Sequence, residues 1–284
     1  MLRDDWGAVM FLSRCAAILA VVAVTLAAGR ADAEAPRVAR LMDLMGLPQI
    51  IGVMHEEGLD YGASLAEGML PRGASGQWPE TVARIYDPAR MEASVRASFS
   101  AAMAGTDPAP LIAFFDTEDG RRLVSLEISA RRAMMDEDVE QAARDDYLAR
   151  AQDPDERFRL VRAFVEANAL VDANVTGALN SNYAFYRGLA DGAALEMTED
   201  EMLAEVWAQE EETRADTRDW LMGFLLLAYD PVAPEVLEDY IALSRTEAGR
   251  AMNRALFAGF DQMYAEISYA LGRALAREMQ ATDL

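Results

Sequence analysis

The chain of 284 residues contains one cysteine, one histidine and no lysine. With His55 alone, it cannot supply the two Glu-x-x-His elements of a di-iron bundle. The order His55-Glu56-Glu57 does not match the His-Glu-x-x-His arrangement of helix-borne zinc sites. The Cys-x-x-Cys-His of covalent haem attachment is also missing. The sequence therefore predicts no metal, no cofactor and no catalytic residues, and it favours a protein that is not an enzyme.

Acidic residues are abundant, and the formal net charge is −22. The clusters at residues 136–138 and 210–212 lack the spacing of a calcium-binding loop, so we interpret them as solvated faces. A pair of carboxylates for glycoside hydrolysis stays open, although no pair stands out. The charge predicts repulsion from nucleic acid and from anionic membrane surfaces. Basic proteins, cations and neutral ligands remain as partners.

The N-terminal segment has the pattern of a secretory signal peptide. Arg14 precedes an apolar run at residues 15–28, and Ala31-Asp32-Ala33 follows as a small-residue cleavage site. The run is shorter than the ~20 residues of a transmembrane helix. We expect cleavage after Ala33, a periplasmic protein without cysteine and no stable membrane span. Translation could start at Met1 or at Met10.

Apolar residues recur at helical spacing through most of the chain, and the alternation typical of strands is absent. The last segment has the most regular stripe, with Met252, Leu256, Phe260, Met263, Ile267, Leu271, Leu275 and Met279. Sixteen methionines fall mostly on such stripes, as in adaptable cores. The predicted fold class is all-α.

A short motif, Thr-Glu-x-Gly-Arg, occurs twice, at residues 117–121 and 246–250, a spacing of 129 residues (246 − 117). An Asp-Pro step and a second proline precede each copy, and a long helical pattern follows. In both halves the predicted helices follow the order long, long, short, long. This order predicts a duplicated four-helix unit, packed as a bundle or as stacked helix pairs. The predicted halves are residues 34–150 and 151–284, with the signal peptide at 1–33.

Each motif copy is interpreted as a corner between two helices. The threonine is an N-cap, and the glutamate meets the positive end of the helix dipole in the first turn. The glycine costs about 1 kcal/mol of helix propensity against alanine, which a close approach of another segment would explain. Anion binding by the glycine and arginine is the alternative. The corner residues are Thr117, Glu118, Gly120, Arg121, Thr246, Glu247, Gly249 and Arg250.

One predicted helix is rich in asparagine, which is a poor helix former. Asn174, Asn180 and Asn182 could line a polar cleft between the halves, with Gly177 allowing close approach. The alternative is that these side chains lie on a solvated face.

The corners resemble those of an exported bacterial all-α family catalogued as a domain of unknown function. Its signature is an apolar helix, then Tyr/Phe-x-Ser/Thr-x-x-Gly-Lys/Arg, then another helix. Residues 235–250 are the more similar stretch, and residues 111–131 are a more divergent version. The resemblance implies an all-α periplasmic protein and carries no activity.

Three functions follow as expectations. The first is a non-catalytic periplasmic protein that binds another envelope protein. The second is a carrier for a hydrophobic small molecule, which requires a cavity lined by Met and Phe residues. The third is a carboxylate-based hydrolase, which requires two acids with perturbed pKa in one cleft.

Overall fold

The computed structural model describes residues 35–70 and 73–282, and within these ranges the chain is helical without strands. The all-α prediction is therefore confirmed. The predicted signal peptide, with Cys15, lies outside the described residues. None of the described helices is both long and apolar enough to cross a membrane.

The helices follow one another with short connections. The first seven are α1 (35–44), α2 (Leu47–Met69), α3 (Trp78–Ile85), α4 (Pro88–Ala102), α5 (Ala109–Phe115), α6 (Glu118–Ala133) and α7 (Glu137–Gln152). The remainder are α8 (Glu156–Ala167), α9 (Leu170–Asp191), α10 (Glu199–Ala208), α11 (Glu210–Tyr229), α12 (Pro234–Ser244) and α13 (Glu247–Thr282).

Two long helices expected from the periodicity are each divided in two. The pattern from Pro154 to Gly188 is continuous, but Ala169 adopts a left-handed conformation (φ 49°) that separates α8 from α9. The buried Asn168 stabilises this break, since its amide donates to the Phe164 carbonyl at 3.0 Å and to Ser244 Oγ at 3.2 Å. A second break, at Gln209, separates α10 from α11. Apolar spacing does not detect a break that preserves the buried face.

The two Thr-Glu-x-Gly-Arg copies have the same local structure. Thr117 Oγ1 accepts from the Gly120 N–H at 3.0 Å and donates to the Phe114 carbonyl at 2.7 Å. Thr246 makes the equivalent bonds to Gly249 and to the Leu243 carbonyl, at the same two distances. Each threonine thus closes the first turn of its helix and ties that turn to the helix before it, as expected of an N-cap.

The arginines of the two corners also act locally. Arg121 Nη1 donates to the Asp116 carbonyl at 2.5 Å, and Arg250 Nη1 donates to the Arg245 carbonyl. In each case the guanidinium binds the last turn of the preceding short helix. The two corners therefore share the threonine and arginine bonds to the backbone, and Arg121 adds an ion pair with Asp116 Oδ1 at 2.9 Å that the second corner lacks among the described residues.

Replacing Thr246 with alanine should destabilise the protein by about 1–2 kcal/mol, because the Gly249 N–H loses its only side-chain acceptor at the start of α13. Urea unfolding followed by circular dichroism measures this change. Thr246→Ser keeps the hydroxyl and should recover most of the loss. Equal destabilisation by both variants would contradict the capping role.

Helices from the two halves interlock. Helix α13 packs along α9 of its own half and along α4 of the first half. Helix α6 likewise packs against α2 of its own half and against α11 of the second half. Glycines allow α9 and α13 to touch: a Cβ on Gly188 would lie 2.3 Å from the Tyr269 carbonyl oxygen, and one on Gly272 would lie 2.3 Å from that of Phe185. Most buried apolar residues of both halves belong to one cluster.

The two corners meet in an aromatic group. Phe114 stacks on Tyr240 with ring centroids 5.3 Å apart, and Phe115 meets the same ring edge-on at 5.8 Å. Phe164 contacts both Tyr240 and Tyr229, at 4.7 and 5.8 Å. Such contacts stabilise by more than their buried area alone. They fix the short helices α5 and α12 against each other.

Helix lengths run in a similar order in the two halves. The long helices α2 and α9 have 23 and 22 residues, and the short helices α3 and α10 have 8 and 10. A left-handed residue precedes both long helices, Gly46 before α2 and Ala169 before α9. More helices than the expected four lie in each half. The duplication itself stays a prediction.

Candidate functional site

A cavity of about 590 Å³ lies between the interlocked helices. Its wall comes from both halves, with residues of α2, α4 and α6 facing residues of α9, α11 and α13. Most of the lining is apolar and includes Met45, Met54, Phe99, Phe224, Phe257 and Phe260. The structure thus contains a space lined by Met and Phe residues, which is the feature that a carrier requires.

Small residues of α9 line part of this space. Gly177, Ala178 and Ser181 recur at helical spacing on the side of α9 that faces the cavity. The asparagine-rich helix therefore contributes small side chains as well as polar ones to the wall.

Glu127 on α6 is the first charged residue in the wall. Its Oε1 accepts a hydrogen bond from the Tyr229 hydroxyl at 2.6 Å, and no other described group binds the carboxylate. Burial raises the pKa of Glu127 to about 7, against the lowering effect of the Tyr229 hydrogen bond. Near neutral pH this side chain is therefore present in both protonation states.

Asp261 on α13 is the second charged residue in the cavity wall. It lies over Gly177 of α9, since a Cβ at that glycine would come within 2.5 Å of Asp261 Oδ1. Within residues 35–70 and 73–282, no hydrogen bond or ion pair reaches this carboxylate. Partial burial raises its pKa. The carboxylate faces the cavity without a compensating charge.

Arg131 is the cation of the wall, and its charge is already compensated. Its Nε and Nη2 donate to the two carboxylate oxygens of Glu57, each at 2.8 Å. The guanidinium also lies 5.9 Å from the centre of the Trp220 ring. A bidentate pair of this kind fixes the orientation of the guanidinium. Arg131 therefore acts as a fixed part of the wall.

Two asparagines complete the polar lining. The Asn174 amide donates to the Leu170 carbonyl at 2.8 Å, and the Asn253 amide donates to the Asn168 carbonyl at the same distance. Each NH₂ group has two N–H donors and uses one of them here, so one N–H and the side-chain oxygen of each asparagine are left for another molecule. Both residues can thus donate to a bound molecule or accept from it.

The residues expected from the sequence are distributed unevenly. Asn174 lines the cavity at an exposed position, whereas Asn180, which is also exposed, does not line it. Asn182 instead donates to Gln209 Oε1 at 3.3 Å in a separate polar group near α10. None of the corner residues belongs to the cavity wall. They position α6 and α13, which carry Glu127 and Asp261.

The charged wall residues were not selected from the sequence. Glu127 and Arg131 lie one turn apart among apolar residues of α6, and Asp261 adjoins Phe260 on the stripe of α13. The one feature of the sequence that could have pointed to these residues is a charged side chain next to an apolar stripe. This signal is weak, because most such charges reach solvent at the edge of a helix face.

His55 does not belong to this site. Its Nδ1 lies 2.8 Å from the Tyr86 carbonyl oxygen, at a packed position between α2 and α3. The described part of the chain holds no group of three or more His, Cys, Asp or Glu side chains suited to a metal ion.

Comparisons with models of protein families, with curated protein sequences and with solved structures find no match to this chain.

Proposed function

We propose that this protein binds a hydrophobic small molecule in the cavity between its two halves and carries it in the periplasm. The observation that supports this function is the cavity itself. Its volume of about 590 Å³ lies within the ~300–1,000 Å³ typical of ligand sites, and a few polar groups interrupt its apolar wall in the manner of such sites. The signal-peptide pattern of residues 1–33 supports the location.

The empty cavity leaves apolar wall surface uncovered by protein atoms. An apolar ligand would cover this surface and gain about 25 cal/mol per Å² of buried area. Binding should therefore raise the melting temperature.

Binding to an envelope protein, the first expectation from the sequence, has less support. Large exposed apolar side chains occur on α2, α7, α10 and α11, as Leu59, Tyr61, Leu148, Leu203, Trp207 and Leu227. They are spread over separate helices. A docking face is usually a contiguous apolar patch. The cavity therefore favours the carrier function.

The direct test is native mass spectrometry of the protein purified from its own periplasm, followed by extraction into organic solvent. We expect a small-molecule mass that dissociates on unfolding. Purified apo-protein should also increase the fluorescence of N-phenyl-1-naphthylamine, a neutral apolar probe, with one site per chain. Loss of both signals would contradict the carrier function.

A substitution that fills the cavity should abolish this binding. Ala178→Trp places an indole in the space beside Ser181 and should weaken probe affinity by about tenfold or more, since roughly 1.4 kcal/mol corresponds to each tenfold change. The matched control is Asn180→Trp on the exposed face of the same helix. It should leave affinity unchanged. Equal affinities for the two variants would place the probe elsewhere.

Hydrolysis is the second candidate, because Glu127 and Asp261 both line the cavity and both have raised pKa values. In the acid–base pairs of hydrolases, the surroundings usually move the two pKa values apart, so that one group is protonated and the other is ionised. Here burial shifts both upward. Incubation of the protein with its extracted ligand distinguishes the two functions: an unchanged mass supports a carrier, and a product larger by one water, or cleaved fragments, supports a hydrolase.

A further inference from the structure

The formal charges in the cavity wall are unbalanced. Arg131 is neutralised by Glu57 through two hydrogen bonds of 2.8 Å. Glu127 and Asp261 have no cationic partner among the described residues, and the Tyr229 hydroxyl is the one group that binds Glu127. The wall therefore holds two acids in excess.

The remaining polar groups include acceptors for a cation. Asn174 and Asn253 each offer a side-chain oxygen, together with the second N–H of an amide that donates once to a backbone carbonyl. Hydroxyls such as Ser181 can donate or accept. The net charge of −22 adds a field that concentrates cations near the protein. A negative head group would meet two carboxylates and no free cation in this wall.

Aromatic rings supply a second kind of attraction for a cation. Trp220, Phe257 and Tyr264 lie in the wall together with the acids. The face of an aromatic ring attracts an ammonium group, most strongly where water is excluded. Trp220 already holds the Arg131 guanidinium in this way, at 5.9 Å. The cavity wall can thus contact both the hydrocarbon part and a positively charged group of one ligand.

We propose that the ligand is a cationic amphiphile, a hydrophobic molecule with an amine head group that binds at the acidic wall to which Glu127 and Asp261 belong. The inference rests on the proposed carrier function and specifies its ligand class. The apolar part of the molecule occupies the Met- and Phe-lined space. The ammonium group replaces the cation that the two carboxylates lack, and its N–H groups donate charge-assisted hydrogen bonds to them.

The test compares three ligands that share a ten-carbon chain: n-decylammonium, 1-decanol and decanoate. Displacement of N-phenyl-1-naphthylamine, checked by calorimetry, gives their affinities at about pH 8, where Glu127, with a pKa of about 7, is mainly ionised. We expect the amine to bind about tenfold or more tightly than the alcohol, and decanoate to bind weakest.

Two isosteric variants then locate the preference. Asp261→Asn and Glu127→Gln should each reduce the ratio of amine to alcohol affinity by about threefold to tenfold, because each removes one charge-assisted bond. Glu238→Gln, an exposed position on α12, makes the same charge change outside the cavity and should leave the ratio unchanged. This control removes the contribution of the overall negative field.

The outcomes separate the two proposals. If alcohol and amine bind equally, or decanoate binds most tightly, the cationic ligand is wrong and the carrier function stands. If none of the three displaces the probe, the cationic ligand is also wrong, and the carrier function is decided by the co-purified mass and by binding of the probe itself. Should a variant fail to fold, as checked by circular dichroism, the three-ligand comparison on the unaltered protein still decides.

Discussion

Gly249→Val should leave little folded protein at room temperature. A Cβ at residue 249 would lie 2.1 Å from the Leu243 carbonyl oxygen and 2.9 Å from the Ser244 Cα, and both belong to the backbone of α12. Backbone cannot rotate away as a side chain can, so α12 and α13 must separate. Valine adds two further carbons at the same place. Overpacking of a core usually costs about 1–3 kcal/mol, and a clash with backbone at 2.1 Å should exceed that range and approach the ~5–15 kcal/mol that stabilises a whole protein.

Circular dichroism and thermal unfolding measure the effect, and Gly249→Ala supplies a milder version whose melting temperature can be determined. The matched control is Gly68→Ala in α2, where a new Cβ has no neighbour within 4 Å. That replacement should be neutral or stabilise by up to about 1 kcal/mol through helix propensity. A folded Gly249→Val protein with an unchanged melting temperature would overturn the close contact at this corner.

Glu127→Gln should stabilise the protein above neutral pH by up to about 3 kcal/mol. Burial raises the pKa of Glu127 from its ordinary 4.5 to about 7, and each unit corresponds to about 1.4 kcal/mol. Between these two values the folded state binds more protons than the unfolded state, so stability falls as pH rises. The cost is absent below about pH 4.5 and complete above about pH 7. Glutamine carries no charge and avoids it.

The measurement is the free energy of unfolding of both proteins in urea from about pH 4 to pH 8, since the difference between them isolates residue 127. The groups around Glu127 are Tyr229 and Tyr240, whose pKa values burial raises above ordinary values, and the paired Arg131 one turn away. None of these changes charge in that range. A difference that does not vary with pH would show that Glu127 has an ordinary pKa.

The two effects relate stability to function. The glycine corners hold α6 and α13 in place, and the same helices present Glu127 and Asp261 to the cavity. An unpaired acid in an apolar wall reduces the stability of the empty protein. A cationic ligand would compensate that charge. The site thus has the local destabilisation that functional sites often show.

The local structure of this protein could be read from its sequence. Helical periodicity predicted the all-α class. The pattern Thr198-Glu199-Asp200-Glu201 has the spacing of a capping box, which the structure shows at the start of α10. The repeated Thr-Glu-x-Gly-Arg motif identified both corners, because N-caps and close-approach glycines depend on residues within one turn of each other. Short-range interactions of this kind are encoded at adjacent positions.

The cavity depends on tertiary structure alone. Asn174, Glu127 and Asp261 come from α9, α6 and α13, separated by tens of residues, and only the interlocking of the two halves brings them to one wall. The sequence of α6 does not show whether Glu127 lies at the protein surface or in the wall of a cavity between helices, because the apolar stripe is the same in both cases. Its pKa then follows from the water that the other helices exclude. The sequence determined the helical class and the two corners, whereas the packing of helices distant in sequence decided the site.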